Sequence, residues 1–413
     1  MSADGPSRGA RPPGGGARSA LRGGRSSADG PSRGVRPRAA RRAFAAAAIA
    51  ALLSLAGCGP ADKADPAAAK EAAPKAASGA NELRLFNWNN YLAEETAKAF
   101  EAHCKCRLVQ DYFSDNEEML AKLAAGATGY DVLVPTGNAV QTLVAQGALR
   151  ELDRSKIVGF ENLKPQFVNQ FFDPDNRFSV PYAYSVTLIG YNAEKLKELG
   201  LPTDTWALIF EPKHLAKLQG KVTVLDSQRE LFAAALMYLG HSANETDEAK
   251  LKEARDLILR AKPYWAAFNA SSYIKELTIG NIWVAHGYSN DMFQAAADAD
   301  KAKRPFRIVS STPKEGAVLA VDNMVLHRTG PRPDLAYQFI NFMLVPENGA
   351  QLSNMIGSGN VNAKSMPFID EAVRQNRAVF PPPEEFAKLQ QLKDFGRKER
   401  RLLNRLWTEV KVR

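Results

Sequence analysis

From Glu82 onward the chain alternates short apolar runs with helical segments, and that alternation limits the fold more than any other feature. Leu83-Arg84-Leu85-Phe86-Asn87 reads as a strand and Glu94 to His103 as a helix. Leu108 to Phe113 reads as a second strand and Asn116 to Ala125 as a second helix. Asp131-Val132-Leu133-Val134-Pro135 gives a third, buried strand, with Val140 to Gln146 helical after it. Strands separated by helices of about ten to fifteen residues predict right-handed βαβ units and a parallel sheet. Ligands bind such sheets beyond the carboxyl ends of the strands. The segments 88–91, 114–116 and 136–138 fall there and are candidate site loops on topology alone. A second α/β region runs from about Ile189 to Ser310, with a strand over 222–225, a helix over 230–239 and a strand over 282–285. A strand over 318–325, a helix over 334–344 and a basic, amphipathic C-terminal tail follow. Two α/β lobes leave a cleft between them, a common place for a ligand.

The formal charge of +9 invites a nucleic-acid or membrane reading, but its distribution removes it. Residues 1–57 hold ten arginines against Asp4 and Asp29, while the rest of the chain holds 44 basic and 43 acidic side chains. The globular part is therefore near neutral and lacks the basic footprint that binds a phosphate backbone. With three cysteines in 413 residues the chain is no disulfide scaffold either.

The leader has its own logic. Arg36, Arg38, Arg41 and Arg42 precede a charge-free apolar run, Phe44 to Ala56, which ends in Leu55-Ala56-Gly57-Cys58. Charged, then apolar, then small is the order of an export signal, and the run is too short to span a bilayer. The ending resembles the bacterial lipobox, which implies lipidation of Cys58 and a membrane-anchored periplasmic lipoprotein; an ordinary cleaved signal is the alternative. Arg41-Arg42 also looks like a twin-arginine signal, a weak one in so arginine-rich a leader. Ser2 to Gly9 recurs as Ser27 to Gly34, and this tract reads as sequence upstream of a true start, for which Val35 is a candidate. Residues 58–81, rich in Ala and Pro, read as a tether spanning roughly 25 Å root-mean-square.

Six segments in collinear order carry a resemblance. They are Asn87-Trp88-Asn89-Asn90-Tyr91, Ser114-Asp115-Asn116-Glu117, Tyr130 to Pro135, Pro181-Tyr182-Ala183-Tyr184, Pro313-Lys314-Glu315-Gly316 and Trp407 to Lys411. Together they resemble the polyamine-binding periplasmic proteins, the type II solute-binding components of putrescine and spermidine ABC importers, nearer the putrescine-type branch. The resemblance implies a type II periplasmic binding protein fold, two α/β lobes around a ligand cleft, with crossings near Tyr184–Gly190 and Lys314–Ala317. It implies a first lobe of residues 82–185 plus 315–362 and a second of 186–314 plus 363–413. It also implies a putrescine-like ligand, an ABC permease as partner, no cofactor and no catalysis. A monomer is expected.

A polyamine is a string of ammonium groups joined by methylenes, so its site needs spaced carboxylates and flat apolar walls. A cation over an aromatic ring gains about 0.5–2 kcal/mol. By the resemblance, Glu230, Asp291 and Asp322 pair with ammonium groups, Trp88 and Tyr288 pack on the methylene chain, and Asn89, Tyr91 and Thr136 complete the wall. Without it, Trp88 and Tyr91 read as core aromatics, Glu230 as an acid at a helix N-terminus and Asp291 as a surface acid. Asp322 is harder to set aside, because an acid inside an apolar strand is costly without a partner. The chain departs from the family pattern at four positions. Asn90 stands where an acid is usual, Ala320 where an aromatic wall is usual, Ser358 where a tyrosine is usual, and Tyr288 where a tryptophan is usual. These departures imply looser binding.

Other signals carry less. Cys104-Lys105-Cys106 forms a small disulfide or stays as free thiols; with His103 it supplies too few ligands for a zinc site. Glu117-Glu118 reads as a solvated helix face. No Ser/His/Asp grouping, Walker loop or GxGxxG follows a strand, so an enzyme on this fold is the weakest reading. A lipid-anchored amine sensor is a second alternative, which sequence does not separate from transport.

Overall fold

A computed structural model describes residues 81–412; the expected leader 1–57, lipidation at Cys58 and tether short of Asn81 lie outside the described residues. Eleven strands among the described residues join into one sheet, and its order explains where a ligand site forms. Strands β1 (Glu82–Trp88), β2 (Arg107–Phe113) and β3 (Val132–Leu133) pair in parallel, with Leu83 beside Leu108 and Phe86 beside Leu133. The helices Glu94–Cys104, Asn116–Ala124 and Gly137–Ala145 follow these strands in turn. Leu83, Leu85, Phe86, Val132 and Leu133 are fully buried, as expected of strands covered on both faces.

The parallel prediction holds only for parts of the sheet. A 14-residue strand, β4 (Ser179–Asn192), which sequence reading took as a motif plus a crossing, is buried along its whole length. Pro181 hides it, since proline removes a ladder donor; the register shifts between Pro181 and Ala183, where a bulge accommodates the ring. Then come β5 (Val222–Leu225), β6 (Ala267–Asn269) and β7 (Val284–Tyr288), again parallel in the order β7-β5-β6. Next are β8 (Ile308–Ser311), the ten-residue β9 (Ala317–Leu326), and the two-residue strands β10 (Gly359–Asn360) and β11 (Leu389–Gln390). β4 and β9 pair antiparallel, β9 joins β3 and β4 joins β7, both also antiparallel. Two parallel triplets thus flank a long central pair, giving two α/β lobes whose chain passes between them along β4 and β9.

Smaller corrections concern boundaries. The third strand is two residues long, its helix begins at Gly137, and β7 reaches Tyr288 where sequence ended it at Ala285. Cys104 and Cys106 are joined as a disulfide across Lys105, whose φ is 52°, and the neighbouring His103 ring lies against Phe342. The C-terminal helix Arg397–Val412 buries Leu402, Leu403, Leu406 and Val410 and packs on the helix Glu248–Ala261. The ion pair Arg405–Glu248 at 3.4 Å decorates that contact; being exposed, it adds little beside the apolar stripe.

One glycine beside the central pair is a close-approach position. Gly359 faces Tyr184 across the β10–β4 ladder, and a Cβ there would lie 2.2 Å from the Tyr184 ring. That ring is stacked on Phe167 at 5.0 Å and edged by Phe380 and Phe386, so it has nowhere to move. Gly359→Ala is expected to cost about 1–3 kcal/mol in chemical denaturation, the range for overpacking; an unchanged denaturation midpoint contradicts this packing.

Candidate ligand cleft

The carboxyl ends of all six parallel strands converge on one cavity of about 190 Å³. Trp88 ends β1, Ser114 to Glu117 follow β2, and Thr136 follows β3. From the other lobe, Ser227, Arg229 and Glu230 follow β5, Ala270 and Ser271 follow β6, and Tyr288 ends β7 with Asp291 just beyond. The central pair supplies the floor, through Ser185 of β4 and Val318, Leu319, Ala320 and Asp322 of β9.

Local structure aims each side chain. Asn90 takes φ 55°, a left-handed conformation asparagine tolerates, and the bend there turns Tyr91 back into the cleft. The Tyr91 hydroxyl donates to Asp322 Oδ2 at 2.6 Å, and the Thr136 hydroxyl donates to Asp322 Oδ1 at 2.7 Å. An isolated antiparallel bridge between Thr136 and Asp322 fixes that second contact. The Trp88 indole N–H donates to the Val134 carbonyl at 2.9 Å, and its ring lies 4.6 Å from Phe113, so the ring is held as a wall. In the second lobe Asp291 accepts from the Tyr273 hydroxyl and, on Oδ1, from Asn290 Nδ2 at 3.1 Å. Glu230 sits in the first turn of the helix Gln228–Tyr238, only 7% exposed, with Oε2 lacking a hydrogen-bond partner among the described residues. The Thr187 hydroxyl approaches it and lowers its pKa, without reaching hydrogen-bond geometry.

The electrostatics share one cause. Burial pushes the Asp322 and Asp291 carboxyls up to about 6 and Glu230 up to about 7, against the hydrogen bonds that pull them down. Among the described residues no lysine or arginine forms an ion pair with these three acids, although the Arg229 charge acts on Glu230 from beyond ion-pair distance and lowers its carboxyl pKa. Arg229 also lines the cavity, but it donates to the Lys393 carbonyl at 3.0 Å and to Asn244 Oδ1 at 3.3 Å and stacks on Phe395. Buried carboxyls without a basic partner carry a desolvation cost that a mobile cation would offset.

Of the residues singled out from sequence, Trp88, Asn89, Asn90, Tyr91, Thr136, Glu230, Tyr288, Asp291 and Asp322 all line this cavity. Ser358 does not: it is 1% exposed, with its hydroxyl unpartnered among the described residues. Glu117, read from sequence as part of a solvated face, is exposed to solvent but also lines the cavity. Its position one residue past a loop already flagged by topology was the available signal. Arg229 and Tyr273 were also missed, and neither sits in a pattern that sequence alone distinguishes from core.

The sequence matches the family described as bacterial extracellular solute-binding protein over residues 95–381. The chain belongs to that family. This solute-binding protein is 54% identical over 337 residues to the putrescine/cadaverine-binding protein of Pseudomonas aeruginosa, covering 82% of the chain and 95% of the relative. It is 37% identical over 336 residues to the putrescine-binding periplasmic protein PotF of Escherichia coli, covering 80% and 91%. Among solved structures, a spermidine/putrescine ABC transporter protein from Listeria monocytogenes superposes with a TM-score of 0.74 at 29% identity, covering 80% of this chain and 99% of that one. These relatives are transport components that bind solutes, not enzymes.

Proposed function

We propose that this solute-binding protein captures a short cationic amine, putrescine or a close analogue, between its lobes and delivers it to an ABC permease. The observation that carries the reading is the set of three buried carboxyls, Asp322 on one side and Asp291 and Glu230 on the other, none of them in an ion pair among the described residues. Names of the relatives point the same way: a putrescine/cadaverine-binding protein and a putrescine-binding periplasmic protein. In this reading Asp322, Asp291 and Glu230 pair with the ligand's ammonium groups. Trp88 and Tyr288 cover the methylenes, and Asn89, Asn90, Tyr91 and Thr136 shape the first-lobe wall. The lobes are residues 82–185 with 315–362 and 186–314 with 363–413. Contacts from both give the ligand a higher affinity for the closed form, which is what drives closure.

Asn90 and Ala320 make the slot wider and less charged than one with an acid and an aromatic ring there. A neutral hydrogen bond in place of a charge-assisted one loses on the order of tenfold in affinity. The mature protein is a monomer anchored through lipid on Cys58, with residues 59–81 as tether. Calorimetry on residues 82–413 is expected to show heat and saturable binding with putrescine or cadaverine. Absence of heat with putrescine, cadaverine, spermidine and agmatine alike overturns the reading.

A further inference from the structure

The Asp291 side of the cleft holds a buried tyrosine that the family resemblance did not flag. Tyr273 begins the short helix Tyr273–Thr278, is 0% exposed, and donates its hydroxyl to Asp291 Oδ2. The same hydroxyl oxygen accepts the Tyr288 backbone N–H at 3.4 Å, a long contact that still ties the ring to the end of β7. Gly287 makes room for it: a Cβ there would lie 2.6 Å from the Tyr273 ring. The ring therefore packs directly on the β7 backbone, one residue before the wall residue Tyr288.

The arrangement mirrors the first lobe, where the Tyr91 hydroxyl donates to Asp322 Oδ2 and Tyr182 donates to the Tyr91 carbonyl at 3.1 Å. Each lobe thus brings one carboxylate already tied to a buried tyrosine. We propose that Tyr273 is a positioning residue for amine binding, holding Asp291 in the orientation and charge state that meets an ammonium group; this rests on the function proposed above. An acid with a free torsion in an open cleft loses rotamer freedom when it grips a cation, and prior orientation removes that cost. The titratable groups facing Asp291 are Tyr273, Tyr288 and, from the first lobe, Tyr91. Of these Tyr273 is the one whose hydrogen bond counters the effect of burial on Asp291.

The test is Tyr273→Phe, which deletes the hydroxyl and keeps the ring. At pH 7.5 putrescine affinity is expected to fall about tenfold, and the pH midpoint of binding to move upward relative to the unaltered protein. On an Asp291→Asn background the same change is expected to cost nothing further. Unchanged affinity and pH midpoint overturn the proposal, as does an equal loss on both backgrounds, which assigns Tyr273 to packing alone. Failure of the unaltered protein to bind any diamine is a failure of the functional reading and is visible in the same titrations. A second measurement does not need the ligand or the Tyr273 variant. Proton NMR is expected to show a slowly exchanging, downfield Tyr273 hydroxyl that disappears in Asp291→Asn, and its absence from the unaltered protein overturns the proposal.

Discussion

Replacing Asp322 by Asn is expected to weaken putrescine binding on the order of 100-fold while leaving the ligand-free protein as stable or more stable at pH 8. The two halves of that expectation have one origin. In the free protein Asp322 is 4% exposed and burial raises its carboxyl to about 6, so at pH 8 the native state holds a charge it would prefer to neutralise. Asparagine removes that charge. It retains one oxygen for Tyr91 or Thr136, which now donate to separate carboxylate oxygens at 2.6 and 2.7 Å, and the Thr136 hydroxyl can turn to accept from the amide. In the complex the balance reverses, because the ligand's ammonium is itself desolvated and loses its counter-charge. Removing one partner of a buried, hydrogen-bonded charge pair costs about 2–5 kcal/mol, and each 1.4 kcal/mol is about tenfold. Calorimetry gives the affinity and ligand-free thermal melts give the stability. An affinity within about threefold of the unaltered protein removes Asp322 from the ligand contacts, and a large fall in ligand-free stability makes it a structural acid.

How much of this was legible in the sequence differs from element to element for physical reasons. β5 was read at its observed bounds, because Val-Thr-Val-Leu is a short apolar run with helical segments on both sides. β4 was read only as a motif and a crossing, since proline and two tyrosines interrupt its apolar pattern and its hydrogen bonds go to β9, far along the chain. The mixed sheet follows from that omission: local alternation specifies each parallel triplet, but the antiparallel pair joining them is a long-range fact. The cleft loops were legible from topology, and the resemblance named side chains on them that converge in the structure. Ser358 shows the limit of carrying over one position at a time. The serine is too short to extend as a tyrosine would, and it ends buried off the cavity. Glu117 shows the converse, because helical spacing gives a face but not what lies opposite it. Nothing in the sequence marks Tyr273: its partner Asp291 is 18 residues away, and an aromatic at a helix start reads as core.

Amine affinity is expected to fall at least on the order of 100-fold as pH drops from 8 to 5, a far steeper dependence than ordinary surface carboxylates produce. The ligand is not the titrating partner, since a primary amine with a lysine-like pKa near 10 stays protonated throughout. The cleft acids are. With Asp322 and Asp291 near 6 and Glu230 near 7 in the free protein, each must ionise to pair with an ammonium. At pH 5 that requirement costs about tenfold for each group near 6 and about 100-fold for one near 7. Engagement of Asp322 and Asp291 alone therefore gives about 100-fold, and Glu230 adds to it. The linkage sign for stability runs the opposite way. These folded-state pKa values lie above the ordinary 3.8 and 4.5, so the native protein binds the extra protons; their stabilising contribution is present below that window and is lost as pH rises through about 6 to 7. Ligand reverses the loss by supplying the missing cations, so the thermal shift produced by putrescine is expected to grow from pH 5 to pH 8. At pH 6 binding releases protons, which calorimetry in buffers of different ionisation enthalpy detects. A flat affinity between pH 5 and 8, with no proton release, means that the three acids do not contact the amine, and the charge logic of the cleft fails with it.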